Sequence, residues 1–273
     1  MANEPVTHTV DEHGVAVVTF DHPPINLITV EVFGALAALI DRLAADDAVR
    51  AVVLRSANPE WFLAHFDVEA IQGFPTDRAD TGEPNRYHRM CEALRTMPKP
   101  TIAQIEGRVG GGGSEVAASC DMRFATPDAV FNQPEVALGI IPGGSGTIRL
   151  PRLIGRGRAL EVVLGCDDVD ASTAESWGWV NRVLPPDAIG AFVDRLAGRI
   201  ASFPAHAVAA AKASIVSSDL AIDEQLDAES RAFQTTLGDD ATRAAMQRFL
   251  DLGGQTPDGE RRLGELAGEL GTR

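Results

Sequence analysis

Apolar positions along this chain follow two rhythms. Val15-Ala-Val-Val-Thr-Phe20 is a short β-branched run that stops at Asp21-His-Pro-Pro24, so it predicts a strand closed by a turn. Thr29 then stands where a helix N-cap belongs, and Val32, Phe33, Leu36, Leu39, Ile40 and Leu43 recur at helical spacing as far as Asp46-Asp47. Ala51-Val-Val-Leu54 is a second apolar strand, ended by Ser56-Ala-Asn-Pro59. Strand, helix and strand in that order predict a right-handed crossover between parallel strands. Residues 73–86, GFPTDRADTGEPNR, carry the glycine, proline and charge of an exposed loop of the kind that borders sites.

A helix is expected from Tyr87 to Leu94 and a third strand over Thr101-Ile-Ala-Gln-Ile105. Short strands follow over 122–125 and 129–131, then helices over 145–154, 156–165 and 171–178. Beyond Pro185-Pro186 the periodicity is helical, over 187–201, 204–217 and 221–251. The pattern predicts an α/β core over residues 1–195 and a helical region over 196–273, with the last 20 residues charged enough to fray or to pack outside the body.

Composition narrows the possible partners. With 45% hydrophobic residues in 273, the chain can bury a sizeable core as a soluble globular protein. The formal charge of -15 and the lack of any long basic run exclude a phosphate-tracking stripe, so no nucleic-acid partner is expected. An anionic ligand would have to be held by local groups. Cys91, Cys120 and Cys166 lie far apart without zinc spacing, which predicts reduced, packed thiols and no metal site. The polar, acidic N-terminus is unlike a signal peptide, and no apolar run approaches the roughly 20 residues of a membrane span. A cytoplasmic protein without a membrane partner is expected.

The chemistry concentrates around RVGGGGSEVAASCD, residues 108–121, where four glycines lead into an acid and a small-residue run at a strand-to-helix turn. A phosphate loop would end in GK[ST], whereas here a carboxylate, Glu115, would repel the phosphate. The dinucleotide fingerprint fails because Glu115 occupies the place of its third small residue. A linker is disfavoured by the apolar sequence on both sides. What remains is an oxyanion site, in which bare backbone N–H groups at a helix start face an oxygen that gains charge. A second glycine-rich turn carries Glu135 in Gln133-Pro134-Glu135, and two carboxylates in one pocket can divide acid and base work.

These residues carry a family resemblance. IEGRVGGGGSEVAASCDMRFA resembles the signature of the enoyl-CoA hydratase/isomerase (crotonase) superfamily, close to INGxAxGGGxELAxACDxRxA, and FNQPEVALGIIPGGSGTIRLPRLIG resembles its FxxPExxLGxxPxxGGTxRLxRxxG. ASTAESWGWVNRVLP, HPPINLIT and EWFLAHFDVEAI resemble further segments of the family, in order, from about residue 10 to 217. The resemblance implies a spiral of ββα units with a C-terminal helical region, assembled as a homotrimer or homohexamer, and an acyl-CoA thioester as ligand. Coenzyme A is then part of the substrate and no separate cofactor is implied.

By the same resemblance Glu115 and Glu135, twenty residues apart, match the two hydratase glutamates, and the backbone N–H groups of Phe66 and Gly112 match the oxyanion donors. Ile25, Ala64, Asp67, Val68 and Gly111 fall at positions that bind the thioester and CoA. The implied activity is hydration of the 2,3 double bond. Isomerase or hydrolase chemistry on the same scaffold, or a catalytically impaired acyl-CoA binder, are the alternatives.

The chain departs from the pattern at His65, where the family has Gly, and at Phe66, where it often has Ala. If that Gly serves a positive φ, His65 is a less comfortable occupant, and it is expected as a solvent-facing or hydrogen-bonded structural histidine or as an extra polar group in the pocket. The basic element that the family carries near the C-terminus reads FLDLGGQTPDG here, leaving Arg108 and Lys212 as candidate phosphate partners.

Overall fold

The computed structural model describes residues 4–75, 84–217 and 222–271. Two sheets organise them. The larger contains β1 (Val6–Val10), β2 (Val15–Phe20), β3 (Ala51–Ser56), β5 (Thr101–Ile105), β7 (Met122–Ala125) and β10 (Arg182–Val183), in the order β1-β2-β3-β5-β7-β10. All its pairings are parallel except β1 with β2. The smaller has β4 (Trp61–Leu63), β6 (Arg108–Gly110), β8 (Val130–Asn132) and β9 (Val169–Asp170), in the order β4-β6-β8-β9. Five of these strands, β1, β4, β6, β9 and β10, lie outside the sequence expectation: four have only two or three residues, too few to show a period, and β1 is an edge strand with one buried position.

The chain passes from a strand of the large sheet to one of the small sheet and then into a helix, three times over. β3 and β4 lead to α2 (Val68–Gln72) and α3 (Arg86–Thr96), β5 and β6 to α4 (Gly112–Ser119), and β7 and β8 to a 3-10 turn (Glu135–Leu138) and α5 (Gly146–Ile154). This is the expected spiral of ββα units. All five residues of β5 are buried, as a central parallel strand covered on both faces requires. One face carries α1 (Val30–Ala45), whose Val32, Leu36, Leu39, Ile40 and Leu43 point into the core and whose first turn is capped by Thr29, accepting from the Val32 N–H at 3.2 Å. Against the other face lies α8 (Pro186–Ala201), with Ile189, Val193 and Ala197 packed on Val15, Val53 and Ile102. Residue 195 falls inside this helix.

The helices α6 (Arg156–Gly165) and α7 (Ala171–Trp177) stand where the periodicity puts them. In the C-terminal region, α9 (Ala205–Val216) is followed by α10 (Ile222–Leu237) and α11 (Asp240–Asp251), so the helical stretch read over 221–251 is broken at Gly238. Asp239 restarts it by accepting from the Ala241 N–H at 2.8 Å. Nor do the last residues stand away from the body. In α12 (Pro257–Arg261) and α13 (Leu263–Gly271), Glu260, Leu263 and Leu266 are buried, and the two leucines pack with Leu138, Ile140 and Phe249. Among the described residues no helix is long and apolar enough to cross a membrane, and all three cysteines are buried free thiols.

Candidate active site

The ends of β4 and β6 bring two turns together. Gly111, at φ +49°, swings the chain into α4, and a Cβ there would stand 2.6 Å from His65 Cβ and 2.8 Å from Glu135 Oε1. That residue must therefore be glycine on both conformational and steric grounds. The next residue, Gly112, lies beside Phe66: the position its Cβ would take is 3.5 Å from the Phe66 nitrogen and 2.9 Å from Tyr87 Oη. The Tyr87 hydroxyl donates to the Gly112 carbonyl at 2.8 Å, and burial keeps this phenol protonated, its pKa well above the ordinary value. The N–H groups of Gly113 and Glu115 are bound to the carbonyls of Ala64 and Gly111, at 3.0 and 3.1 Å. Those of Phe66 and Gly112 have no acceptor among the described residues.

Phe66 and Gly112 both line a cavity of about 370 Å³, whose walls include Phe33, Tyr87, Leu138, Ile140 and Phe233. Glu115 and Glu135 are its buried acids. Glu115 rises from the first turn of α4, and its Oε1 accepts the N–H groups of Gly144 and Gly146 at 2.9 and 2.7 Å. Burial, then the charges of Glu135 and Glu229, push its pKa well above the usual carboxylate range, against the pull of those two amides. Glu135 opens the 3-10 turn, and its Oε2 is buried without a partner among the described residues. Burial pushes its pKa up to about 7, opposed by its own backbone amide and by His65 and reinforced by Glu229. With both carboxyls raised by burial and Glu135 at about 7, Glu135 can accept and return a proton near neutral pH beside Glu115.

His65 also lines the cavity, and it is not solvent-facing. Nor is it strained, since positive φ among the non-glycine residues occurs at Asn26, Ser145, Cys166 and Gln255. Its Nδ1–H donates to the Phe66 carbonyl at 2.8 Å and its Nε2–H to Glu260 Oε1 at 3.1 Å. Burial works to lower the histidine's pKa, but the charge and hydrogen bond of Glu260, with the Phe66 carbonyl, outweigh it and raise the value to about 9. Burial likewise opposes the charge on Glu260, yet His65 holds that carboxyl below its usual range. Phe66 sits among rings, edge-on to Phe33, Phe74 and Tyr87 at centroid distances of 6.2, 5.7 and 6.2 Å.

The remaining expected residues divide. Val68 lines the cavity, and Asp67 caps α2 by accepting the Glu69 N–H at 3.0 Å. Ile25 and Ala64 pack with Trp61 in a separate apolar cluster outside it. Arg108 and Lys212, the candidate phosphate partners, are engaged elsewhere: Arg108 binds both oxygens of Asp168 at 2.7 and 2.8 Å, and buried Lys212 pairs with Asp121 at 2.8 Å. Of the loop expected over 73–86, residues 76–83 lie outside the described residues, while Phe74, Pro75, Asn85 and Arg86 border the cavity.

Besides Glu260, sequence reasoning missed another buried acid, Glu229 of α10. It accepts from His88 Nε2 at 2.8 Å and from the N–H groups of Ser145 and Thr147 at 2.7 and 3.1 Å. Consecutive amides from Gly144 to Thr147 are thus shared alternately by Glu115 and Glu229. The only sequence signal was the glycine-rich run at 143–146, and a Cβ on Gly144 would lie 2.4 Å from Glu115 Oε2.

Comparison with known proteins identifies the family and the fold. The family model described as "Enoyl-CoA hydratase/isomerase" matches residues 11–255. The short-chain-enoyl-CoA hydratase of Clostridium acetobutylicum is 32% identical over 88% of this chain and 92% of its own. The crotonyl-CoA hydratase of Syntrophomonas wolfei is 35% identical over 81% of this chain and 84% of its own. Among solved structures, a putative enoyl-CoA hydratase from Streptomyces avermitilis superposes with a TM-score of 0.88 at 39% identity, covering 98% of this chain and 99% of that one.

Proposed function

The chain belongs to the enoyl-CoA hydratase/isomerase family, and we propose that within it this enzyme adds water across the 2,3 double bond of an enoyl-CoA. One observation carries the reading: two buried carboxyls, Glu115 and Glu135, share a cavity with two backbone N–H groups, of Phe66 and Gly112, that have no acceptor among the described residues. The thioester carbonyl oxygen accepts from both amides, and coenzyme A enters as part of the substrate, with Val68 the one of the expected binding positions that lines the cavity. A water held by the glutamates gives its hydroxyl to C3 and its proton to the pair, which returns a proton to C2. Charge moves onto the thioester oxygen as the C3–O bond forms, and the two donors stabilise the resulting enolate, where one such donor typically contributes about 3 kcal/mol. The Glu135 pKa of about 7 suits this traffic, because a proton carrier works best with a pKa near the working pH.

Assembly as a homotrimer or homohexamer belongs to the same proposal. It is supported by α9, whose alanines face outward with Ile215, 73% exposed, while Lys212 is its buried side chain. An apolar helix left uncovered in this way favours a protein partner. The function is tested by following the conjugated-thioester absorbance of crotonyl-CoA and longer 2-enoyl-CoAs. Its loss with wild type, and its persistence with Glu115→Gln and Glu135→Gln, is the expected result. Binding of acyl-CoA without any loss of the conjugated band refutes the hydratase reading.

A further inference from the structure

The loop that carries the Phe66 amide is held on two sides. On one, the Ile28 N–H donates to the His65 carbonyl and the Asp67 N–H to the Ile28 carbonyl, at 3.1 and 2.9 Å. On the other, the C-terminal segment reaches across: Gln255 Oε1 accepts the Val68 N–H at 2.6 Å, and Glu260 Oε1 accepts from His65 Nε2 at 3.1 Å and from the Gln255 N–H at 2.8 Å. His65 closes the ring by donating from Nδ1 to the Phe66 carbonyl at 2.8 Å. Four backbone groups of the loop, the carbonyls of His65 and Phe66 and the amides of Asp67 and Val68, are therefore tied, while the Phe66 N–H stays unengaged among the described residues.

We propose that His65 and Glu260 form an ionic lock, through which the C-terminal segment 255–260 holds the peptide groups on either side of Phe66 so that the Phe66 N–H points at the thioester oxygen. His65 and Glu260 are positioning residues here. The inference rests on the hydratase reading of the same cavity. Both side chains are 4% exposed, so the pair is shielded from competing water and leaves no slack in the loop. Among the described residues, the charges that act on the pair include Glu135 from the 3-10 turn, on His65, and Arg108 of β6, itself bound to Asp168, on Glu260. Phe249 closes the apolar side, its ring edge-on to the imidazole at 5.6 Å. With its pKa raised to about 9, His65 is an imidazolium at neutral pH, able to donate from both nitrogens.

The test compares wild type, Glu260→Gln, His65→Gln and the double variant with crotonyl-CoA across pH, with thermal melting as the check on folding. Removing a donor outright costs about 100- to 1,000-fold in kcat. A donor that is loosened and kept sets a smaller expectation of about tenfold, with KM within about threefold. In Glu260→Gln the charge that raises the histidine is gone, so the alkaline limb of kcat moves down from near pH 9. The double variant, which leaves no unpaired buried charge, is expected to be no slower than the slower single one, and it is the form to read if a single variant does not fold. Wild-type kcat in the variants, an alkaline limb that does not move, or losses that multiply in the double variant would each overturn the lock. A wild type that hydrates no enoyl-CoA refutes the hydratase reading beneath it.

Discussion

Replacing Glu135 with Gln should change how stability responds to pH, and by an amount the buried site sets. A carboxyl whose pKa rises from 4.5 to about 7 on folding holds its proton more tightly in the folded chain, by about 3 kcal/mol at about 1.4 kcal/mol per tenfold in proton affinity. The sign follows from which state ionises first. Below pH 4.5 both states are protonated and the group contributes its full stability; as the pH climbs to 7 the unfolded chain ionises freely while the folded chain does not, and that contribution is lost. Glu135→Gln has no proton to lose, so its stability between pH 4.5 and 7 should decline less than that of wild type, by about 3 kcal/mol. Urea denaturation at fixed protein concentration across that range measures the difference. Parallel curves for the two proteins would mean that Glu135 is not held protonated by its surroundings, and the proton-sharing pair would lose its basis.

Other consequences are as specific. Glu115→Gln keeps an oxygen for the Gly144 and Gly146 amides but loses proton transfer, so kcat for crotonyl-CoA should fall by about 100- to 10,000-fold with the melting temperature held, as rapid kinetics and calorimetry would show. Gly112→Ala puts a methyl 2.9 Å from Tyr87 Oη and 3.5 Å from the Phe66 nitrogen, and should remove most of kcat while leaving the circular dichroism spectrum unchanged. Arg108→Ala should leave KM for the CoA substrate within about twofold, because that guanidinium is committed to Asp168. If the proposed trimer or hexamer forms through α9, wild type should show that mass in light scattering and Ile215→Glu, on the exposed face of α9, should lower it.

Much of this was legible in the sequence because it rests on local pattern. The strands β2, β3 and β5 and the helix α1 announce themselves by periodicity and by the Thr29 cap. The two glutamates stand in short motifs beside glycines whose bareness has a steric cause at Gly111 and Gly144. What could not be read depends on long-range closure. Glu229 reaches Ser145 across 84 residues and Glu260 reaches His65 across 195, and no local pattern reports such pairs. For that reason the sequence could offer a hydrogen-bonded His65 as one reading without naming its partner, and raised a strain that is absent: its backbone is ordinary and its side chain is bound to a carboxylate from the end of the chain. The final residues misled in the same way: their charge suggested a frayed tail, while Glu260 is buried in an ion pair and Leu263 and Leu266 in the core.

The central claim, that Glu115 and Glu135 add water to an enoyl thioester held by the Phe66 and Gly112 amides, is tested most directly by the mass of the product formed from crotonyl-CoA in deuterated water. The account predicts a 3-hydroxyacyl-CoA that, once returned to ordinary water, is heavier than the substrate by one water and one further mass unit for the deuteron at C2, formed by wild type and at least about 100-fold more slowly by Glu115→Gln and Glu135→Gln. Release of free coenzyme A, or a product in which the double bond has moved with no water gained, would contradict it.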